Sequence, residues 1–148
     1  MKLSDIKTIN YFAYAHNTNT EVIKSRCPSA KFISVGVLNN FKLVLHKFAD
    51  IEHDPKSKCY GVVWSISLND LAELDKFEGL HKDYNRIPLE VTTESGLIKC
   101  MAYIMDPYFS QDGKPSLDYI KSVLLGYQEH DLPVNQLKSA IINNEKTK

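Results

Sequence analysis

Two places in this sequence have the residue types to do chemistry: one carboxylate and one short turn. Glu78 lies between Phe77 and Gly79, at the end of a segment in which Leu71, Leu74 and Phe77 recur every three positions. That spacing predicts an amphipathic helix, capped by Asn69 and ending at Gly79, the residue type favoured just past a helix C-terminus. A carboxylate beside apolar walls has its charged form disfavoured. Its pKa then rises toward the range useful for proton transfer at neutral pH. The ordinary alternative is a solvated glutamate on a helix end. The second place is Tyr14-Ala15-His16-Asn17-Thr18. Here an apolar, aromatic strand (residues 9–14) empties into a polar turn and then a helix. Such a connection leaves backbone N–H groups unpaired and pointing one way, a cradle for a carboxylate or a developing oxyanion. A plain strand-to-helix connection is the alternative. Tyr84, Tyr103 and Tyr119 fall on separate elements, and each presents a hydroxyl to a pocket or packs its ring.

The elements that must position these groups follow from pattern. Asn19 or Thr20 caps a helix over residues 21–26, stopped by Pro28. Residues 30–38 and 41–48 read as two strands around an Asn39-Asn40 turn. The polar stretch 49–58, with Asp54-Pro55, reads as a surface loop, and 59–67, which contains Trp64, as the strongest strand. Residues 86–93 and 97–105 form a hairpin turning at Glu94-Ser95-Gly96. A loop over 106–114 follows. Ser116 caps a helix reaching about Glu129, with Tyr119, Val123 and Tyr127 on one face. Leu132-Pro133 breaks it before a last helix over 134–143, and residues 144–148 fray. Six or so strands and three or four helices in mixed order predict an α+β domain, a small, mostly antiparallel β-barrel with flanking helices. The expected extent is one domain over 1–148, with its core about 9–142.

Composition excludes several function classes. Eighteen basic residues balance eighteen acidic ones, so no overall field favours nucleic acid or an anionic membrane. No stretch approaches a membrane span, and the N-terminus lacks the apolar run of an export signal. Cys27, Cys59 and Cys100 are an odd number without a Cys-x-x-Cys pair, which reads as reduced packing thiols in a cytoplasmic protein. The five histidines show no metal-binding spacing, so a dedicated metal site is not expected. Phosphate-loop, dinucleotide and nucleophile-elbow motifs are all missing.

Several segments, in order, resemble the γ-glutamylcyclotransferases. Residues 11–18, Tyr-Phe-Ala-Tyr-Ala-His-Asn-Thr, are similar to that family's Tyr-Phe-Ala-Tyr-Gly-Ser-Asn-Leu. Cys27 to Ala30, Phe41-Lys42-Leu43 and Gly61-Val62-Val63-Trp64 resemble further family segments. Leu74-Asp75-Lys76-Phe77-Glu78-Gly79 resembles the stretch that holds the family's catalytic glutamate. Tyr84, Tyr103 and Pro115-Ser116-Leu117-Asp118-Tyr119 also match in place. The resemblance spans about residues 9–142 and implies a small mixed barrel. It also implies release of 5-oxoproline and a free amine from a small-molecule γ-glutamyl substrate, without cofactor. Glu78 would be the acid/base, residues Tyr14 through Thr18 the cradle, and Tyr103 and Tyr119 the groups that position the glutamyl end. Ala15-His16 in place of Gly-Ser is the departure. It strains the cradle if a positive φ is required there, and His16 can bind a substrate carboxylate, narrow the pocket or point away. A binding module on the same fold, and removal of a γ-glutamyl group from a larger amine, are the competing readings. A neutral net charge fits monomer or homodimer.

Overall fold

The computed structural model describes residues 8–80, 82–107 and 113–146. Five strands, β1 (Thr8–Ala13), β2 (Lys31–Leu45), β3 (Ala49–Ser67), β4 (Tyr84–Thr93) and β5 (Gly96–Met105), close into a barrel in the order β1-β3-β2-β4-β5. Neighbours are antiparallel except at the closing seam, where Tyr11 of β1 pairs in parallel with Met101 of β5. Four α-helices flank it: α1 (Thr20–Arg26), α2 (Leu68–Glu78), α3 (Leu117–Glu129) and α4 (Val134–Lys146). None is long and apolar enough to cross a membrane.

The core draws on all five strands and all four helices, with Leu38, Val91, Ala102, Ile23 and Leu137 joining the residues of β1, β3, α2 and α3. Phe12, Val62, Val63, Trp64, Ile66, Leu74, Val123 and Tyr127 are almost wholly buried, each large apolar side chain contributing about 1.5–3 kcal/mol. Cys27, Cys59 and Cys100 are buried free thiols whose pKa values burial raises, so they pack rather than react.

Local chemistry explains where the elements depart from the sequence pattern. Asn39-Asn40 is not a turn. Asn40 takes a left-handed φ of 68° inside β2, at a register shift between Asn39 and Phe41, and the strand runs on. Left-handed Asn suits a bulge as well as a turn. The polar stretch 49–58 is strand, not loop: Ala49 to His53 pair with Leu45 to Phe41. Residues 54–57 bulge opposite Asn40 without register partners. Asp54 there accepts from the Lys56 amide and the Ser57 hydroxyl, and Pro55 needs no ladder acceptor. The reversal between β2 and β3 lies instead at residues 46–48, where the His46 amide donates to the Phe48 carbonyl at 2.9 Å. Helix α2 is capped by Ser67, whose hydroxyl accepts from the Asp70 amide, rather than by Asn69. The C-terminal helix does not fray at Asn144, which is buried and donates to the carbonyls of Leu45 and Gly113. Part of the predicted 106–114 loop, residues 108–112, lies outside the described residues.

Candidate active site

Beyond Ala13 the chain makes one 3-10 turn, His16–Thr18, before Asn19 caps α1 by accepting from the Val22 amide. The Thr18 amide and hydroxyl both bond back to the Ala15 carbonyl. The amides of Ala15, His16 and Asn17 have no hydrogen-bond acceptor among the described residues. Ala15 has φ −140° and ψ −108°, outside the left-handed region, so the turn does not require glycine there. Helix α3 braces the turn from behind. Tyr127 donates to the Tyr14 carbonyl at 2.7 Å, and Asn19 donates to the Ser122 carbonyl at 3.0 Å. The packing is tight enough that a Cβ on Gly126 would lie 2.2 Å from the Thr18 hydroxyl and 2.6 Å from the Asn19 nitrogen.

Glu78 ends α2, and Gly79 follows in the left-handed conformation (φ 66°). A Cβ at Gly79 would also push the Asp83 carboxylate aside, but it is the left-handed backbone that favours glycine after Glu78. Glu78 lines an inner chamber, a space of about 360 Å³ partly continuous with solvent, together with Tyr14, Ala15, His16, Asn17, Tyr84, Tyr103 and Tyr119. Of the residues singled out in the sequence, only Thr18 is turned away, against α3. Burial pushes the Glu78 carboxyl from 4.5 up to about 7, against the opposing pull of Arg26 and a bond from Asn17. Its place at a helix C-terminus acts in the same direction as burial.

Three lining residues were not legible as site residues. Tyr11 sits on the chamber wall, fully desolvated, with its hydroxyl accepting from Asn17 Nδ2 at 2.9 Å. Burial, with Glu78 beside it, holds that phenol protonated. Arg26, at the end of α1, donates to Asn17 Oδ1 at 2.6 Å and to His16 Nδ1 at 3.3 Å, and its guanidinium lies 3.8 Å above the Phe77 ring. Two of its five N–H donors are used in this way. Phe77, expected on the core face of α2, is instead 59% exposed, with Arg26 over one part of it. Ala49 contributes backbone: its carbonyl accepts from the Tyr84 hydroxyl and its amide donates to that of Tyr119.

Asn17 ties the site together. Nδ2 donates to Tyr11 and, at 3.4 Å, to Glu78 Oε1; Oδ1 accepts from Arg26; the backbone carbonyl accepts from the Trp64 indole at 2.9 Å. The ionic partner above fixes the form of His16. With Nδ1 accepting from Arg26, the proton sits on Nε2 and is donated to the Ser122 hydroxyl at 2.9 Å. Burial and then Arg26 lower the His16 pKa to about 4, so the ring is neutral at pH 7. The tyrosines divide by their hydroxyl protons. Tyr14 donates to the Tyr103 carbonyl, Tyr103 to Asp75 and Tyr84 to Ala49, whereas those of Tyr11 and Tyr119 have no acceptor among the described residues.

Comparison with known proteins places this geometry. The AIG2-like family matches residues 58–139. Bovine γ-glutamylcyclotransferase (Bos taurus) is 36% identical over 153 residues, covering 93% of this chain and 80% of its own length. The chain belongs to the γ-glutamylcyclotransferase family. Its human relative (Homo sapiens) is 34% identical over 88% of this chain and 76% of the relative. A solved γ-glutamyl cyclotransferase superposes with a TM-score of 0.81 at 34% identity, over 91% of this chain and 88% of that one. Membership accounts for the closed five-stranded barrel with flanking helices, the fold class read from the sequence.

Proposed function

We propose that the protein is a γ-glutamylcyclotransferase, converting a γ-glutamyl amino acid or amine to 5-oxoproline and the free amine with Glu78 as general acid/base. The observation that carries this is a single one. A carboxyl group whose pKa burial raises to about 7 lines the same chamber as Ala15, His16 and Asn17, whose backbone amides have no acceptor among the described residues. At neutral pH a substantial fraction of Glu78 is ionised and able to take a proton from the substrate's α-ammonium group. The freed amine attacks the γ-carbonyl carbon of the same molecule. One C–N bond forms, and charge gathers on the carbonyl oxygen, where the amides of Ala15, His16 and Asn17 stabilise it. Protonated Glu78 returns that proton to the departing nitrogen as the original C–N bond breaks, and the extra proton left on the new ring nitrogen passes to the freed amine, which leaves as an ammonium. No water is consumed and no redox partner is needed. Because nucleophile and electrophile share one molecule, holding them in a bent conformation lowers the barrier by several kcal/mol.

Arg26 is the cation suited to the substrate's α-carboxylate, with donors left over after Asn17 and His16. Tyr11 and Tyr119 supply the hydroxyl donors for the glutamyl end, while Tyr14, Tyr84 and Tyr103 contribute walls and bracing. Purified protein incubated with γ-glutamyl dipeptides and γ-glutamylamines is expected to release 5-oxoproline, measured by mass spectrometry, and Glu78→Gln to abolish that release. Absence of product across the panel, or equal product from Glu78→Gln, overturns the reading.

A further inference from the structure

Beyond Glu78 lies a second, outer chamber, an open space of about 710 Å³ partly continuous with solvent. It shares His16, Arg26, Glu78, Tyr84 and Tyr119 with the inner one and adds Phe48, Phe77 and Asp83. We propose that this chamber is the subsite for the leaving amine and that it selects a planar, apolar group on that amine. The inference rests on the cyclotransferase reading above and names the half of the substrate that the reading leaves open.

Proton return fixes the direction in which the leaving group must extend. Its nitrogen has to lie beside Glu78, and the inner chamber on one side is occupied by the glutamyl half. The outer chamber is the other space that the Glu78 carboxyl lines. The walls there are rings. Phe48 meets Tyr119 edge-on at 5.5 Å, Tyr119 meets His16 edge-on at 5.1 Å, and Phe77 carries the Arg26 guanidinium on its face. Phe48 is 40% exposed and Phe77 59%, so large aromatic surface is held at the mouth of the site instead of in the core. His16 adds to this wall without adding charge, because both its nitrogens are committed, Nδ1 to Arg26 and Nε2 to Ser122. Among the described residues the only other charged group in the lining is Asp83, and Lys47 sits outside it, with Nζ 6.0 Å from the Phe48 ring centre. A flat ring between Phe48 and Phe77 removes apolar surface from water on both partners and gains offset or edge-on ring contacts.

The test compares γ-glutamylphenylalanine with γ-glutamylalanine, which differ only by the ring. The expected kcat/KM ratio favours the aromatic compound by about tenfold or more, the range an apolar pocket gives. In Phe48→Ala and in Phe77→Ala the ratio is expected to fall severalfold. Any disturbance of Arg26 by the second substitution acts on both compounds and cancels in the ratio. A ratio near one in the unaltered protein, or one that neither substitution lowers, overturns the subsite while 5-oxoproline release leaves the cyclotransferase reading standing. If neither compound is turned over, that reading fails. The subsite is then judged by the ratio of the two dissociation constants from calorimetry, with equal affinities, or no binding of either, overturning it.

Discussion

Glu78 stands between two chambers of opposite construction. On the inner side the polar groups are interlocked: Asn17 reaches Tyr11, Glu78 and Arg26, Arg26 holds His16, and α3 clamps the turn from behind. The outer side shares His16, Arg26, Tyr84 and Tyr119 with it, and what it adds beside Asp83 is Phe48 and Phe77, partly exposed rings that no hydrogen bond fixes. The contrast teaches where each kind of recognition resides. A reaction centre needs donors held within a fraction of an ångström, which buried networks supply. A subsite that only takes surface out of water tolerates looser walls. Substitutions inside are therefore expected to reduce rate by orders of magnitude, and substitutions outside to alter preference by small factors.

The largest break in that contrast is expected from Glu78→Gln, with about a thousandfold loss of kcat/KM in a 5-oxoproline release assay. Next comes Arg26→Ala, with about a hundredfold loss carried mainly by KM, since a charge-assisted carboxylate contact of about 1.5–3 kcal/mol disappears. Arg26→Lys is expected to restore little, because a lysine cannot bond Asn17, His16 and a carboxylate in one plane. A comparable loss from Phe48→Ala would erase the distinction between the chambers.

Tyr119→Phe is expected to lower kcat/KM by about tenfold, the worth of one neutral hydrogen bond, while Tyr84→Phe, whose proton already serves Ala49, leaves the substrate contacts in place. Equal effects from the two would show that the hydroxyls act on the fold alone. The pH profile sharpens the inner side further. The base form of Glu78 is lost below about pH 7, so activity is expected to fall about tenfold per pH unit on the acid limb. The same group costs stability. Its folded pKa lies above the unfolded value, so the penalty is absent below pH 4.5, grows between 4.5 and 7, and is full above 7. Glu78→Gln is thus expected to be more stable to thermal unfolding than the unaltered protein at pH 8, by up to about 3 kcal/mol in unfolding free energy, and to match it at pH 4. Equal melting at both pH values would place Glu78 in solvent. The smallest effect is the severalfold fall in aromatic preference on removing Phe48.

Much of the inner chamber could be read from the sequence because its signals are local. Glu78 is flagged by an apolar helix repeat ending in glycine, and the turn after β1 by a run of small polar residues following an aromatic strand. Arg26 carries no such signal. It is one of eighteen basic residues, and only the folding of α1 against the 3-10 turn and the end of α2 brings it to Asn17 and Phe77. Phe77 misleads for a related reason: its helical spacing matches Leu71 and Leu74, yet it lies where α2 leaves the core and a guanidinium covers it. The β2–β3 pair hides its length because left-handed Asn40 and the Asp54-Pro55 bulge look like loop residues when neighbours across the sheet are unknown. His16 is half-readable. Its ability to ionise is visible in the sequence, whereas its neutral, doubly bonded state depends on Arg26 and Ser122, ten and 106 residues away.

Barrel closure has a bearing on all of this. The cylinder is held by one residue pair at Tyr11–Met101 and by one at Val37–Thr92, while its other joins run over many residue pairs. Tyr11 is also the phenol on the wall beside Glu78, and Tyr103, two residues past Met101, lines the same space. Any molecule gripped there spans the join like a rivet. Occupancy and closure are then linked equilibria: whatever tightens one tightens the other, and a barrel that breathes at this edge opens the candidate site with it.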